Sequence, residues 1–394
     1  LIWGNSIAQG HGFVDNTLPE PDKYVVHAPL IAVIIAPVEL FFPLSIQAAK
    51  MCVLAIGIVG LFLFYVWLRR LSSELHALVG TLLLLFNPLT IIYSTEVLSE
   101  IPFIAGIFLI FFLVELVSKD AEKNKLQKYL LIITAAFLPL LRDVGFALVI
   151  TIFLFLILQK QYRFALILMV VTLIVSGLWH LRNEILVGGS TQQQESNFAL
   201  TFQHFVTPSS SSMVSEITLR IWLNFKGYFA QIFGMLLFPL YSTTQHNLVF
   251  NTSSLHTFLT DLFQLIRWVI IILELSILFA GIRADIKNST GIVRLLFASL
   301  YLGIILVYPI HDLRFLFALL PLLIYFNIMG VSYFVNKQTL TANIKRVVAI
   351  AIVLAVLFPN SVVLYEILRS NYTYTKSPTE LYEKLKTNPN YPTF

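Results

Sequence analysis

Two glutamates stand four residues apart in the segment YSTEVLSEIPF, just before a long apolar run. Glu96 and Glu100 would share one face if this segment is helical, because residues four apart lie one above the other. Ionisable groups beside hydrocarbon are costly and usually pair or function, so the two acids are candidates for catalytic acid–base work. The alternative is that Ser99 and Glu100 only cap the following helix and interact with its dipole.

Three arginines, Arg142, Arg182 and Arg314, each lie at one end of an apolar run. A planar guanidinium can bind phosphate through two parallel hydrogen bonds, so three of them at one membrane depth indicate an anionic ligand. For any single arginine the simpler interpretation is snorkelling, or pairing with an acid that is close in sequence. Those neighbouring acids are Asp143, Glu184 and Asp312.

The stretch from His11 to His27 in the first 45 residues is unusually polar for this chain and offers two further candidates, Lys23 and His27. His27 stands just before Pro29, where an apolar stretch begins, so it could form one wall of a site, and Lys23 could join it in binding phosphate. Ordinary solvated loop residues are the alternative. No HExxH or comparable spacing is present, so the sequence predicts no metal ligands and leaves a divalent cation open.

The elements that position these residues are apolar runs. The chain has 394 residues, of which 58% are hydrophobic and only 12% charged, whereas soluble domains carry about 25% charged residues. Since a helix needs about 20 apolar residues to cross a bilayer, the sequence predicts an all-α, polytopic transmembrane bundle. The predicted spans are 46–67, 75–86, 101–117, 129–141, 146–158, 164–179, 262–280, 293–308, 315–334 and 347–364.

Basic residues alternate between the connections, which predicts the orientation of the bundle. Five short loops collect Lys and Arg, as cytoplasmic loops do, and the scattered basic residues give no nucleic-acid surface. The intervening connections hold Glu100, Arg142, Arg182 and Arg314. We therefore expect a multi-pass protein of the plasma (inner) membrane whose candidate site faces the periplasm or exterior.

Five segments follow from this topology. Residues 1–45 form a first outer loop with an interfacial helix, 46–180 and 262–364 hold the spans, 181–261 form a long outer loop, and 365–394 begin an outer tail. An amphipathic helix is predicted over 213–237, with its charged residues on one face and the membrane beneath it. The chain starts without Met, and both ends are interpreted as cut.

Six motifs resemble, in order, those of one enzyme family: SIAQGHGF, HAPLIAVIIAP, YSTEVLSEIPF, LLRDVGFAL, LWHLRNEILVG and HDLRFLFALLPLL. The family is that of membrane glycosyltransferases of the protein O-mannosyltransferase and aminoarabinose-transferase type (glycosyltransferase family 39-like), which have the GT-C fold. The resemblance covers nearly the whole chain. It maps Glu100 onto an acidic position at a helix start, His27 onto a position before the family's proline, and Arg314 onto the arginine of an RYLLP-like pattern, from which Phe315 and Ala318 depart.

The resemblance implies transfer of a sugar from a polyprenyl-phosphate carrier to an acceptor protein, lipid or glycan at the outer membrane surface. The family's principal catalytic acid lies before the segment LIWGNSIAQG, so the chain on its own could be inactive. A carboxylate would act as general base while cations stabilise the departing phosphate, with no nucleotide and no cofactor firmly implied. A secondary transporter, or a non-catalytic protein that binds lipid-linked sugar, are the alternatives.

Overall fold

The computed structural model describes residues 1–14, 28–119, 124–187, 201, 203, 205–206, 212–236, 254–337, 354 and 356–365. The described residues are 84% helical and include no strand, which confirms the all-α prediction. The helices are α1 (Ile2–Ala8), α2 (Leu30–Glu39), α3 (Ile46–Leu71), α4 (Glu74–Leu85), α5 (Pro88–Ser94), α6 (Glu100–Lys119), α7 (Lys125–Phe137), α8 (Phe146–Leu158), α9 (Tyr162–Val187), α10 (Met213–Leu236), α11 (Ser254–Asp285), α12 (Gly291–Val307), α13 (Leu313–Leu316), α14 (Leu320–Lys337) and α15 (Val356–Tyr365).

Among the described residues, four helical segments are long and apolar enough to cross a membrane: Ile46–Leu71, Glu100–Ser118, Tyr162–Leu186 and Leu313–Val335. A fifth is possible if α4 and α5, which meet at a bend of 62°, form one broken span. Ten spans were expected, so the prediction is only partly supported. Several of the other apolar helices in the described ranges have 10–17 residues, which is short of the roughly 20 that a span requires.

Side-chain caps fix where several helices begin. The hydroxyl of Ser45 accepts a hydrogen bond from the Ala48 N–H at the start of α3. Asn87 does the same for Leu89 at the start of α5, where Pro88 occupies the first helical position. Because proline has no N–H and cannot continue α4, that helix ends, and a new helix, α5, begins after the cap at Asn87 in a different direction. This explains the bend between α4 and α5.

The core surrounds α6, which packs against α3 and α7. Gly60 of α3 allows the two helices to approach, since a Cβ there would lie 3.0 Å from the Cβ of Ala105 in α6. Further along the same contact, the rings of Phe64 and Phe108 lie 4.7 Å apart, and Trp67 stacks on Phe111 at 5.4 Å. This dense contact fixes the position of the residue that begins α6, Glu100.

The amphipathic helix predicted over 213–237 is present as α10, but two of its charged residues do not point to solvent. Glu216 is 0% exposed and Arg220 is 1% exposed. Arg220 donates to the Val307 carbonyl at the end of α12 and to the Thr201 and Gln203 carbonyls, and Glu216 accepts from Arg220 and from the N–H groups of Phe205 and Val206. The apolar side of α10 is the exposed one. Its location at a membrane surface remains a prediction.

Candidate functional site

A buried ion pair joins the start of α6 to the connection between α7 and α8. Arg142 Nη1 lies 2.5 Å from Glu100 Oε1, and the two side chains are 12% and 5% exposed. Burial opposes the charge on Arg142, but the carboxylate of Glu100 outweighs this effect and raises the pKa of the guanidinium above its ordinary value. Arg142 therefore pairs with Glu100 rather than with its neighbour in sequence, Asp143.

Tight packing holds the turn that carries Arg142. Residues Leu138–Leu140 and Asp143–Gly145 form two 3-10 turns on either side of it. The N–H of Gly145 donates to the carbonyl of Arg142 at 2.8 Å. A Cβ on Gly145 would lie 2.7 Å from the carbonyl carbon of Leu138, so only glycine allows the two turns to pack this closely. The guanidinium is thus presented by rigid backbone.

A second guanidinium, that of Arg314, contacts the same aromatic ring as Arg142. The Cζ atoms of Arg142 and Arg314 lie 5.6 Å and 5.2 Å from the centroid of Phe315. Tyr301 of α12 donates a hydrogen bond of 2.7 Å to the carbonyl of Phe315, which fixes the backbone between the two cations. Glu100, Arg142 and Arg314 therefore form one cluster, called the Glu100 cluster below.

Asp312 positions Arg314. Its carboxylate caps α13 by accepting the Arg314 N–H at 2.9 Å, and Asp312 Oδ2 lies 3.2 Å from Arg314 Nε. The sequence-neighbour pairing considered for this arginine is therefore present. The two side chains are 42% and 31% exposed, so water screens this pair and its net contribution to stability is small.

The Glu100 cluster has unused hydrogen-bonding capacity. Within the described residues, Glu100 Oε2 is buried and accepts no hydrogen bond. Arg314 Nε is near enough to Asp312 to count as an ion pair but makes no hydrogen bond. Buried polar atoms are nearly always satisfied, so an open carboxylate oxygen in a cluster that also contains a half-exposed arginine is an arrangement that can receive a ligand.

Glu96 does not share a helix face with Glu100, which corrects the sequence-based expectation. It is exposed in the bend between α5 and α6, because the helix begins only at Glu100. Partial burial and then the charge of Glu100 raise the pKa of Glu96, while Lys50 lowers it. Glu96 therefore acts on the cluster through its charge.

The third predicted arginine, Arg182, lies apart from the Glu100 cluster. Arg182 donates to the Asn183 side chain at 2.8 Å and to the Phe13 carbonyl at 3.1 Å, and its guanidinium covers the ring of Trp179 at 4.6 Å. In the described part of the chain, it has no contact with Glu100, Arg142 or Arg314. Lys23 and His27 lie outside the described residues.

Sequence reasoning missed the aromatic side of the site. Tyr93 packs against Phe317 with ring centroids 4.8 Å apart. Burial and then Asp143 raise the pKa of Tyr308, whereas Arg314 and Arg142 lower it, so Tyr308 also borders the cluster. The available signal was the position of these tyrosines at the ends of apolar runs, where amphipathic rings are enriched.

The other end of the bundle holds a second ionic cluster, centred on Arg294 at the start of α12. Arg294 Nε and Nη2 donate to Asp285 at 2.8 and 2.6 Å, and Nη1 donates to Glu115 at 2.7 Å. The Tyr325 hydroxyl adds a bond of 2.5 Å to Asp285. This Arg294 cluster lies 15 residues along α6 from Glu100, about 22 Å at 1.5 Å per residue, and sequence reasoning did not find it.

The described helices and their exposed apolar faces define a helical integral membrane protein. No group of three or more His, Cys, Asp or Glu residues arranged to hold a metal ion occurs within the described ranges. Comparison with protein-family models, curated proteins and solved structures finds no match for this chain.

Proposed function

We propose that this chain belongs to a glycosyltransferase that takes a sugar from a polyprenyl-phosphate carrier and delivers it to an acceptor on the non-cytoplasmic side of the membrane. The observation that carries the proposal is the Glu100 cluster, where a buried carboxylate with one oxygen lacking a hydrogen bond is paired with Arg142, and a second guanidinium, that of Arg314, lies on the neighbouring Phe315 ring. The GT-C fold and membrane sidedness are parts of this proposal. So is a protein, lipid or glycan as acceptor.

The proposed reaction is a single displacement. The acceptor oxygen forms a bond to the anomeric carbon while the bond from that carbon to the carrier phosphate breaks, and the phosphate leaves with the electron pair. Glu100 Oε2 takes the acceptor proton, as a general base does. Arg314, which is 42% exposed, stabilises the charge on the departing phosphate.

Arg142 has a positioning role in this scheme. Its Nη1 holds one oxygen of Glu100 and so leaves the other oxygen for the acceptor. Arg182, Lys23 and His27 are proposed as contacts farther along the lipid-linked donor, and Glu96 as an acid whose charge tunes the cluster. The reaction needs no nucleotide, and a divalent cation is compatible with it.

A transfer assay tests the proposal. A polyprenyl-phosphate sugar is supplied to the protein in its native membrane, and acceptor glycosylation is measured for Glu100→Gln and Arg314→Ala. Loss of a general base lowers the rate by about 10²–10⁴-fold, so we expect Glu100→Gln to lose at least about 100-fold. The matched control is Glu74→Gln, since Glu74 forms an exposed ion pair with Arg69. Unchanged transfer in Glu100→Gln and Arg314→Ala would remove both residues from the mechanism.

A secondary transporter is the second candidate, favoured by the 62° break between α4 and α5. Broken helices in transporters present helix ends to a substrate near the middle of the membrane. Flux of a sugar-phosphate lipid into liposomes, with no glycosylated product, would favour this candidate. Binding without flux or product would instead indicate a non-catalytic protein that binds lipid-linked sugar.

A further inference from the structure

The amphipathic pattern of α10 is inverted relative to a helix on a soluble protein. Four polar residues spaced four apart form one stripe along it, and all four are buried: Glu216, Arg220, Asn224 and Tyr228. Spacing of four places them on one face. Charged residues are rarely buried unless they are paired, so we expect the residues of this stripe to form hydrogen bonds or ion pairs with specific groups.

The stripe caps the end of α12. A helix leaves its last carbonyls without internal partners and carries partial negative charge there. Asn224 Nδ2 donates to the carbonyls of Leu306 and Tyr308 at 2.9 and 2.8 Å, and Arg220 Nη1 donates to that of Val307 at 3.1 Å. Helix α10 therefore holds the point where the chain leaves α12 toward Arg314.

The same stripe reaches the segment before Arg314. The rings of Tyr228 and His311 lie 4.3 Å apart, and the Asp312 N–H donates to the Tyr228 hydroxyl at 3.4 Å. Gly227 leaves room for this contact, since a Cβ there would fall 3.0 Å from two carbons of the His311 imidazole. The position of α10 thus sets the position of residues 306–312.

The opposite face of α10 is apolar and exposed. Trp222 is 53% exposed, Leu223 45% and Phe225 47%. The Trp222 and Phe225 rings stack with centroids 6.3 Å apart, and Lys226 Nζ lies 5.2 Å above the Trp222 ring. An aromatic ring with a lysine beside it is typical of the boundary between lipid and water, where the ring is half buried and the ammonium stays wet.

We propose that the exposed face of α10, formed by Val214, Leu219, Ile221, Trp222, Leu223 and Phe225, is a lipid-binding surface that lies flat in the interface of the bilayer crossed by the spans. Through its polar stripe, α10 then sets the depth of residues 306–314, including Arg314, relative to the lipid headgroups. The occupant is lipid because the exposed face carries aromatic rings with a lysine over one of them, and α10 docks on the end of the apolar helix α12. This inference is independent of the proposed sugar transfer.

Spin labels on α10 measure the depth of this helix relative to the lipid headgroups. Single cysteines replace Val214 and Phe225 in a Cys52→Ser background, and Ile58, an exposed residue in the middle of α3, is the bilayer-centre control. We expect both α10 labels to lie about 5–10 Å below the headgroups, at equal depth and shallower than the Ile58 label. A spanning helix would separate them by about 16 Å over 11 residues, which would overturn the proposal.

Two other outcomes would also overturn it. Labels that water-soluble relaxing agents reach but oxygen in the lipid does not would place α10 in solvent. Dipolar broadening that vanishes on dilution with unlabelled protein would show a second copy on this face.

Coupling to the Arg314 segment has its own test. A label at Ile310, which is exposed, reports the mobility and depth of that segment in vesicles. We expect Asn224→Ala to increase the label's mobility and Trp222→Ser to shift its depth, whereas Thr218→Ala, at an exposed position on α10, changes neither. An Ile310 label that responds to none of these changes would refute the positioning role, whether or not the protein transfers sugar.

Discussion

Buried arginine and glutamate side chains at the two ends of the bundle differ in how many of their hydrogen bonds are made. At one end, Arg294 donates from all three of its nitrogens to Asp285, Glu115 and Thr290. At the other end, Arg142 holds one oxygen of Glu100, and the second oxygen is buried without a hydrogen bond in the described structure. Both clusters contain a carboxylate and a guanidinium, so composition alone does not distinguish them.

The difference lies in how completely each cluster satisfies itself. A buried ionic network in which every member is bonded stabilises one arrangement and has nothing left to offer a ligand. The Glu100 cluster has one open acceptor, Glu100 Oε2, one unbonded donor, Arg314 Nε, and a half-exposed arginine, so it can still form hydrogen bonds and ion pairs with a ligand. We therefore assign the Arg294 cluster to structure and the Glu100 cluster to function, and the following predictions test that division.

The largest effect is expected at the Arg294 cluster. Arg294→Met would leave Glu115 and Asp285 buried without their cation, and breaking a buried ion pair costs about 3–5 kcal/mol. The measurement is the free energy of unfolding in mixed detergent micelles. A loss below about 1 kcal/mol would mean that the network is not structural.

A smaller loss of stability is expected at the Glu100 cluster. Glu100→Gln keeps an oxygen facing Arg142 and removes the charge, and hydrogen bonds to charged groups contribute about 1.5–3 kcal/mol. We therefore expect the free energy of unfolding to fall by about 1.5–3 kcal/mol, measured beside Glu115→Gln. Equal losses in the two variants would contradict the division between the ends.

Asp312→Asn is expected to change stability little and ligand binding more. Asparagine can still cap α13, and the partly exposed Arg314–Asp312 pair contributes about 0–1 kcal/mol. With the negative charge removed, Arg314 should bind a polyprenyl phosphate about 10-fold more tightly, equivalent to about 1.4 kcal/mol. The check is titration of the lipid phosphate into nanodiscs. Weaker binding would show that Arg314 does not face the phosphate.

The smallest effect concerns pH. The pKa of Glu96 is raised by partial burial and then by Glu100, so its protonated form is favoured in the fold. Stability from this group is present below the unfolded pKa and is lost as pH rises through the folded one. Ionised Glu96 also opposes an anion, so lipid-phosphate affinity should fall over the same range. In Glu100→Gln, the midpoint of the fall in lipid-phosphate affinity should move to lower pH. An unchanged midpoint would show that the charge of Glu100 does not affect the titration of Glu96.

Apolar patterning predicted much of the fold because a membrane-spanning helix can be recognised from one continuous apolar run of sequence. The runs 46–67 and 101–117 correspond to α3 (Ile46–Leu71) and α6 (Glu100–Lys119). Alternation of basic loops also placed Glu100, Arg142 and Arg314 at one end of the bundle, where the structure brings them together. Membrane sidedness, substrate and acceptor stay predictions.

The sequence did not predict which side chains pair when they are distant along the chain. Arg294 lies at the start of the predicted span 293–308 and was not singled out as a site residue, yet it is buried and bonded to Glu115 across the fold. The available signal was Glu115 itself, since an acid within an apolar run requires a partner. Glu96 and Glu100 do not share a helix face because the helix begins only at Glu100, which spacing alone does not reveal. Arg182 donates to the carbonyl of Phe13, a residue distant along the chain.

The length of α12 bears on the bilayer itself. With 17 residues, it extends about 26 Å, less than the roughly 30 Å of hydrocarbon in a typical membrane. If residues 293–308 cross the bilayer, as the sequence predicts, a hydrophobic mismatch of this sign would be relieved by local thinning of the lipid. Beside α12, headgroups would then sit deeper than elsewhere, so a charged lipid would travel a shorter distance to reach Arg314.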